Sequence, residues 1–269
     1  MSHSRQLPSA LTQLGGIARR APLALFLDFD GTLSPLVSRP EDAVLAPRMR
    51  ERMARLARLC PVAVVSGRDR VDLEARVNLA GLIFAGSHGL DIAGPPGSGL
   101  ALVNGEEALP ALARAGVTLQ KALAGRRGVF IEHKRLGIAA HFRQAESLDD
   151  PGAVARAIGD VLRDEPLLER SAGKQVLELR PRVAWDKGRA VRWLLDRMTP
   201  TRTGIYLGDD RTDETAFRAL RDGDGGIGIH VGRDDVATEA TLRLDDQSDV
   251  GRFLESLHAA LSSKPGPTP

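Results

Sequence analysis

Residues 23–33 read LALFLDFDGTL, an apolar run that ends in two aspartates, Asp28 and Asp30, on either side of a phenylalanine. The apolar run predicts a β-strand with both aspartates at its carboxyl end. Because alternate side chains of an extended chain point to the same side, Asp28 and Asp30 face one side of the predicted sheet. Open α/β sheets bind their ligands at that edge. A helix cap followed by a turn aspartate is the alternative explanation of the pair.

Short apolar segments alternate with helical patterns before and after this stretch. Residues 61–65 and 82–85 predict strands in the first part of the chain, and residues 204–207 and 226–231 predict strands near the other end. A helical pattern lies between the two strands of each part. This alternation is typical of a parallel sheet with right-handed crossovers.

The middle of the chain has a different pattern. Residues 94–99 (GPPGSG) are rich in turn formers, and residues 128–143 contain two strand-like segments around a glycine-containing turn, which predicts a β-hairpin. We therefore predict an α/β fold with a Rossmann-like parallel-sheet core formed by residues 1–99 and 183–269. An α+β domain would be inserted at residues 100–182.

The composition is that of an ordinary globular protein, and it excludes several classes of function. There are 37 basic and 35 acidic residues, a net charge of +2 that provides no basic surface for nucleic acid. The single cysteine, Cys60, excludes an internal disulfide and a cysteine-rich zinc site. No apolar run approaches the roughly 18 residues of a membrane span, and no secretory signal is evident. We expect a cytoplasmic monomer that binds neither nucleic acid nor membrane.

Negative charge is concentrated at the ends of two predicted strands. Asp28 and Asp30 repel each other when held close, so their site favours a shared proton or a divalent cation. Residues 208–214 (GDDRTDE) follow a predicted strand and include four acidic side chains. Asp209 and Asp210 lie in the strand-to-helix loop, where Mg²⁺ would compensate their charge through oxygen ligands. Helix caps and solvated acids are the alternative for all four.

Two further positions suggest anion binding. Ser66 and Gly67 follow the strand at 61–65 and precede a helix, whose first N–H groups would face a phosphate oxygen. Lys187 lies in the first turn of a predicted helix, where a cation is unfavourable unless an anion is near. The alternatives are an ordinary serine N-cap and a solvated surface lysine.

Together, these motifs resemble those of the haloacid dehalogenase superfamily of phosphatases, and within it the trehalose-6-phosphate phosphatase family. The strings that carry the resemblance are LDFDGTLSPLV at 27–37, VVSGR at 64–68, GSHGLD at 86–91, ELRP at 178–181 and YLGDDRTDETAF at 206–217. The resemblance extends over nearly the whole chain. Asp91 departs from the pattern, since the family more often has glutamate there.

The resemblance implies a core of the haloacid dehalogenase type, with residues 100–182 as a cap domain that acts as a lid. It also implies Mg²⁺-dependent hydrolysis of trehalose 6-phosphate, a small-molecule sugar phosphate, to trehalose and phosphate in trehalose biosynthesis. Asp28 would be the nucleophile that forms an aspartyl phosphate, and Asp30 would be the general acid and base. Ser66 would bind phosphoryl oxygens, and Lys187 would offset charge on the transferring group.

The resemblance also implies a set of ligands. The metal ligands would be Asp28, the main-chain carbonyl of Asp30, and Asp209, with Asp210 and Asp213 as outer or alternate ligands. The substrate contacts would come from Gly67, Arg68, His88, Gly89, Glu132, Lys134 and Glu178. For Glu132 and Lys134 the alternative is a charged pair on an exposed strand. An exposed strand face explains His141 and Arg143 equally well.

Two rival functions stay open at this point. A related phosphatase that acts on sucrose phosphate or mannosylglycerate phosphate would share the core residues and differ only in the inserted domain. A phospho-acceptor receiver module, which binds rather than catalyses, also has an aspartate at a strand end. Receivers are shorter than this chain and lack the second aspartate of the pair, so the sequence favours an enzyme.

Overall fold

The computed structural model of the protein describes residues 7–37, 39–173, 175–223, 225–233 and 237–263. The chain forms two compact units, a larger one of Met1–Leu102 with Trp185–Pro269 and a smaller one of Val103–Ala184. These boundaries lie three and two residues beyond the positions, 99 and 182, that the sequence pattern indicates.

The structure contains both strands and helices, numbered here along the chain. The strands are β1 Leu23–Leu27, β2 Val62–Val65, β3 Ile83–Gly86, β4 Asp91–Ala93, β5 Ala101–Val103, β6 Phe130–Lys134, β7 Gly137–His141, β8 Leu168–Gly173, β9 Val176–Pro181, β10 Thr203–Gly208, β11 Ile227–Val231 and β12 Leu242–Leu244. The helices are α1 Leu14–Arg19, α2 Pro47–Ala57, α3 Arg70–Val77, α4 Leu109–Ala122, α5 Asp150–Asp164, α6 Lys187–Leu195, α7 Glu214–Arg221 and α8 Gln247–Ser262. Short 3₁₀ turns lie at Pro40–Asp42, Ser87–Gly89, Glu106–Ala108 and Arg211–Asp213.

An eight-stranded sheet organises the larger unit, in the order β12-β11-β10-β1-β2-β3-β4-β5. Neighbouring strands from β12 to β3 are parallel, and β4 is antiparallel to β3. β2 lies on one side of β1 and β10 on the other, so the strand order reverses at β1. A crevice for ligands forms at such a reversal, beyond the carboxyl ends of the strands. The predicted parallel-sheet α/β core is confirmed.

β1 is buried on both faces, which explains why polar and apolar residues do not alternate along it. Leu23, Leu25 and Leu27 belong to one core cluster, and Ala24 and Phe26 belong to another. α1, α2 and α8 contribute to the first cluster, while α6 and α7 contribute to the second. Full burial of a large apolar side chain is worth about 1.5–3 kcal/mol. The two layers therefore fix β1 firmly in the middle of the sheet.

The smaller unit has a four-stranded antiparallel sheet in the order β6-β7-β9-β8. β6 and β7 form the predicted hairpin, in which Lys134 is paired with Gly137 next to the turn. α4 and α5 cover one face of this sheet through a core cluster that includes Leu119, Ile138 and Val154. The opposite face carries the alternate residues of each strand, among them Glu132.

The sequence pattern does not predict β4, β5, β8 and β12. Three of these strands have only three residues each, too few for a periodic pattern to be recognised. β8 reads LERSAG and lacks the apolar alternation of a strand. It is held instead by its pairing with β9 along its whole length. Tertiary pairing therefore decides these elements, not local preference.

The helices have lengths that are ordinary for a globular protein. α8 has 16 residues, with Phe253 and Leu257 buried in the core and Glu255 on the exposed side next to Arg52. Among the helices of the described ranges, none combines the length and the apolar character that crossing a membrane requires.

Candidate active site

The carboxylate of Asp28 lies just beyond the carboxyl end of β1, and the residue is only 4% exposed. The ammonium group of Lys187 donates to Oδ1 of Asp28 at 2.9 Å and to Oδ1 of Asp213 at 2.7 Å. Lys187 is the first residue of α6, and Asp186 caps that helix by accepting from the N–H of Arg189 at 2.8 Å. The Lys187 side chain is 3% exposed. The alternative of a solvated surface lysine is therefore wrong.

Burial and charge oppose each other at this pair. Burial lowers the pKa of Lys187, but the carboxylates of Asp213 and Asp28 more than reverse this and raise it far above the usual value. Burial raises the pKa of Asp28 well above its usual range, and the negative charges of Asp213 and Asp209 add to the rise. Lys187 opposes that rise in the pKa of Asp28. The ammonium group thus stays protonated and supplies the positive charge that a buried carboxylate needs.

Three aspartates converge at this point. Asp28, Asp209 and Asp213 each have one carboxylate oxygen within 4.8 Å of the other two. With all three carboxylates ionised, their charges and the one positive charge of Lys187 sum to −2, which a divalent cation would offset. Carboxylate oxygens are also the ligands that hard cations such as Mg²⁺ prefer. These residues could therefore hold a divalent metal ion.

Both carboxylate oxygens of Asp213 already accept hydrogen bonds. Oδ1 accepts from the Tyr206 hydroxyl and from Lys187, each at 2.7 Å, and Oδ2 accepts from the N–H of Asp210 at 2.9 Å. Tyr206 is fully buried and is the only tyrosine in the sequence. Sequence reasoning assigned it to an apolar strand and missed this contact. A lone hydroxyl in such a strand is the signal that could have indicated a buried hydrogen-bond partner.

The two aspartates that follow Asp209 cap the next turn of the chain. Asp210 accepts from the N–H of Arg211 at 2.7 Å, and Asp210 and Asp213 form a reciprocal capping box. The cap alternative therefore holds for these two residues. Asp209 lies outside the capping box, so Asp209 and Asp28 are the better candidates for direct metal ligands.

A glycine shapes the loop that follows Asp30. Gly31 has a left-handed φ of +84°, and a β-carbon at this position would overlap the carboxylate of Asp209. The side-chain amide of Gln247 donates to the Gly31 carbonyl.

The residue after Gly31, Thr32, is fully buried, and its hydroxyl has no hydrogen-bond partner among the described residues. A buried hydroxyl is costly without a partner, so this group is available to donate to a bound group or a water at this edge.

The carboxylate of Asp30 is held by Arg68. Nε and Nη2 of Arg68 donate to the two oxygens of Asp30, both at 2.7 Å. Nη1 donates to Asp72 at 3.1 Å, and Nη2 also donates to the Pro40 carbonyl at 2.9 Å. The guanidinium carbon lies 5.4 Å from the centroid of the Phe29 ring. The structure therefore brings Arg68 to Asp30, and the substrate contact of Arg68 stays a prediction.

Ser66 and His88 lie in two loops that pack together. Ser66 is buried, its hydroxyl accepts from the N–H of Arg68 at 3.2 Å, and its carbonyl accepts from the N–H of His88 at 2.8 Å. A β-carbon on Gly67 would lie 2.8 Å from the His88 ring, so glycine permits this packing. The N-cap position of α3 is Asp69. The alternative that Ser66 is an ordinary N-cap is therefore wrong.

The loop that carries His88 has an unusual backbone. Residues 87–89 all have left-handed φ, between +50° and +88°. Non-glycine residues adopt this conformation at a cost, and such residues are concentrated at binding sites. The Gly89 carbonyl accepts from the Trp185 indole N–H at 2.6 Å. Asp91, where the family resemblance departs, accepts from Nε of Arg70 at 2.8 Å and so has a structural contact with the start of α3.

The smaller unit brings Glu132, Lys134 and Glu178 to the face of its sheet opposite α4 and α5. Nζ of Lys134 donates to Oε1 of Glu178 at 2.5 Å, and Nε2 of His141 lies 2.8 Å from Oε2 of Glu132. Burial raises the pKa of Glu132, but the hydrogen bond from His141 and the charge of Lys134 bring it below its usual value. Glu132 is therefore an ionised acceptor at neutral pH.

Solved structures with the same arrangement of strands and helices show which fold the chain has. A haloacid dehalogenase-like hydrolase from Bacteroides thetaiotaomicron matches with a TM-score of 0.63 and 16% identity, over 87% of this chain and 98% of that one. The C-terminal domain of trehalose-6-phosphate phosphatase from C. albicans matches with a TM-score of 0.80 and 22% identity, over 96% of this chain and 99% of that one. The fold is therefore that of the haloacid dehalogenase type.

Similarity in sequence is more specific. The trehalose-phosphatase family model matches residues 26–248. A trehalose-phosphate phosphatase from Mycobacterium tuberculosis (strain H37Rv) is 41% identical over 270 residues, which cover 97% of this chain and 68% of that protein. The chain belongs to the trehalose-phosphatase family and is a phosphatase. The resemblance inferred from the motifs is confirmed.

Replacing Gly31 with alanine tests whether the loop must leave room for Asp209. Gly81 has nearly the same φ, +83°, but a β-carbon there meets no atom within 4 Å, so Gly81→Ala is a matched control. We expect each variant to lose about 1–2 kcal/mol of unfolding free energy from its left-handed φ. Only Gly31→Ala should also lose most of its activity, because Asp209 must move. Urea unfolding and hydrolysis of p-nitrophenyl phosphate measure the two effects, and equal activity in both variants would contradict the role of Gly31.

Proposed function

We propose that the protein hydrolyses trehalose 6-phosphate to trehalose and phosphate, with Mg²⁺ as cofactor and an aspartyl phosphate on Asp28 as intermediate. One observation carries the proposal: the buried carboxylate of Asp28 is held 2.9 Å from the ammonium group of Lys187, beside Asp209. The choice of substrate is supported by relatives that are named for it, the M. tuberculosis enzyme and the C. albicans domain.

The residues at the sheet edge fit a magnesium ion, because the donors are carboxylate and carbonyl oxygens and the cluster has excess negative charge. Asp28, the main-chain carbonyl of Asp30, and Asp209 would hold the ion. Asp213 would hold the Lys187 ammonium group beside Asp28. Asp210 would stabilise the turn after Asp209 as its N-cap. When bound, Mg²⁺ would reduce the repulsion between Asp28 and the phosphate dianion.

The chemistry proceeds in two displacements at phosphorus. A carboxylate oxygen of Asp28 forms a bond to phosphorus while the bond from phosphorus to the sugar oxygen breaks. Asp30 gives a proton to that departing oxygen and later takes one from the water that hydrolyses the aspartyl phosphate. Phosphate leaves and the Asp28 carboxylate is restored. Lys187 keeps a positive charge beside Asp28 in both steps, and Arg68 orients Asp30.

Hydroxyl and N–H groups near the carboxylates would bind the phosphoryl oxygens. Ser66 and the N–H of Gly67 follow β2, whose carboxyl end lies next to that of β1. The buried Thr32 hydroxyl, which lacks a partner within the described ranges, offers a further donor. These groups would hold the phosphate while Asp28 attacks it.

Sugar recognition is assigned to a different set of residues. A disaccharide exposes many hydroxyl groups, so its binding requires charged or polar side chains that donate and accept hydrogen bonds. We assign this role to Glu132, Lys134 and Glu178 of the smaller unit, which would be the cap, and to His88 and Gly89 of the larger one. The cytoplasmic location and the monomeric state stay predictions from the sequence.

A substrate panel tests the proposed activity. Phosphate release is measured from trehalose 6-phosphate, sucrose 6-phosphate and glucose 6-phosphate, with Mg²⁺ and after treatment with EDTA. We expect a kcat/KM for trehalose 6-phosphate about 100-fold above the others, because a site built for particular hydroxyls rejects sugars that lack them. EDTA should abolish turnover and added Mg²⁺ should restore it. A preference for sucrose 6-phosphate, or turnover that EDTA does not affect, would contradict the proposal.

Asp28→Asn tests the nucleophile. An amide of the same size can still accept from Lys187 but cannot attack phosphorus, so we expect kcat to fall about 10³-fold or more with the fold preserved. Asp160→Asn is the matched control, because the Asp160 side chain is 61% exposed and its partner in the described part of the chain is the exposed Arg163. Phosphate release and circular dichroism are the measurements. Wild-type activity in Asp28→Asn would refute the assignment.

A further inference from the structure

The sheet of the smaller unit carries an aromatic pair that the proposed function does not use. Phe130 on β6 lies directly opposite His141 on β7. Their rings are stacked, with centroids 4.4 Å apart and an angle of 8° between the ring planes. Phe130 is 40% exposed, so the pair lies outside the hydrophobic core. The stack therefore fixes the orientation of the His141 ring at the surface.

The stacked imidazole is also bonded to Glu132. Nε2 of His141 lies 2.8 Å from Oε2 of Glu132, and a proton on Nε2 makes the imidazole the donor. The other carboxylate oxygen, Oε1, accepts no hydrogen bond from the residues that the structure describes. His141 thus fixes one carboxylate oxygen of Glu132, and the other oxygen can accept a hydrogen bond from a ligand.

The register of the strands places Glu132 in a row with Glu178. Ala139 on β7 pairs with Glu132 on one side and with Glu178 on the other. Neighbouring strands are about 4.8 Å apart, so the two glutamates are separated by about 10 Å along the row. Lys134 reaches across β7 to Glu178 above the small residues Gly137 and Ala139. Each carboxylate on this face therefore has its own nitrogen partner that sets its direction.

We propose that His141 is a positioning residue for sugar recognition: stacked on Phe130, it fixes Glu132 so that this carboxylate accepts hydrogen bonds from hydroxyl groups of the disaccharide. The inference rests on the proposed function. A glutamate side chain loses rotamer freedom when it binds a ligand. Here the Phe130 ring holds His141, and the hydrogen bond from His141 restricts Glu132 before the ligand arrives. Because neither His141 nor Phe130 belongs to the hydrophobic cluster of the smaller unit, loss of His141 should leave the fold intact.

The test compares His141→Ala with His133→Ala in the whole 269-residue chain. His133 follows Glu132 on β6 and faces the other side of the sheet, where its Nε2 lies 2.9 Å from the side-chain nitrogen of Gln120. It is therefore a matched control, a histidine of the same strand pair whose ring points away from Glu132. The measured quantity is the ratio of kcat/KM for trehalose 6-phosphate to kcat/KM for p-nitrophenyl phosphate, which has no sugar. We expect His141→Ala to lower this ratio about 3- to 10-fold, mainly through KM, and His133→Ala to leave it unchanged.

A conservative variant separates the hydrogen bond from the packing of the ring. His141→Gln keeps an N–H donor near the position of Nε2 and should recover part of the lost ratio. An unchanged ratio in His141→Ala, or an equal fall in His133→Ala, would overturn the inference. If the wild-type enzyme itself does not hydrolyse trehalose 6-phosphate, the proposed function fails instead, so the two failures are distinguishable.

Discussion

The ion pairs of Lys187 are the interaction on which the rest of the site depends. A carboxylate buried as deeply as Asp28 is costly without a compensating charge. Here one ammonium group compensates two carboxylates, Asp28 at 2.9 Å and Asp213 at 2.7 Å, and Tyr206 holds the second of them. Lys187 cannot move towards one without weakening its bond to the other. Asp209 brings a third carboxylate to within 4.8 Å of these two, and the three together form the acidic cluster that we propose as the cation site.

The sheet topology explains how these groups meet. β1, β2 and β10 are neighbours, although they come from distant parts of the chain. Their carboxyl ends carry Asp28, Ser66 and Asp209 in turn, and α6 begins with Lys187. The apolar layers on both faces of β1 fix the strand whose end carries Asp28. Stability is therefore supplied by the core, and the strand ends are left for chemistry.

The sequence alone predicts the positions where charge accumulates but not the pairs that form. The spacing of Asp28 and Asp30 after an apolar run, and a lysine in the first turn of a helix, are local signals that point to the site. The pairing of Arg68 with Asp30 joins residues from two loops 38 positions apart, which no periodic pattern records. The contact of Tyr206 with Asp213 is hidden for the same reason, since it depends on packing inside the fold.

In the proposed mechanism Asp28 accepts the phosphoryl group, and this step can be examined by trapping the intermediate. The enzyme is mixed with trehalose 6-phosphate and Mg²⁺, quenched in acid and treated with borohydride, which reduces an acyl phosphate to an alcohol. We expect mass spectrometry of the peptides to find homoserine at position 28. Homoserine at another aspartate, or turnover with none at position 28 at any quench time, would contradict this assignment.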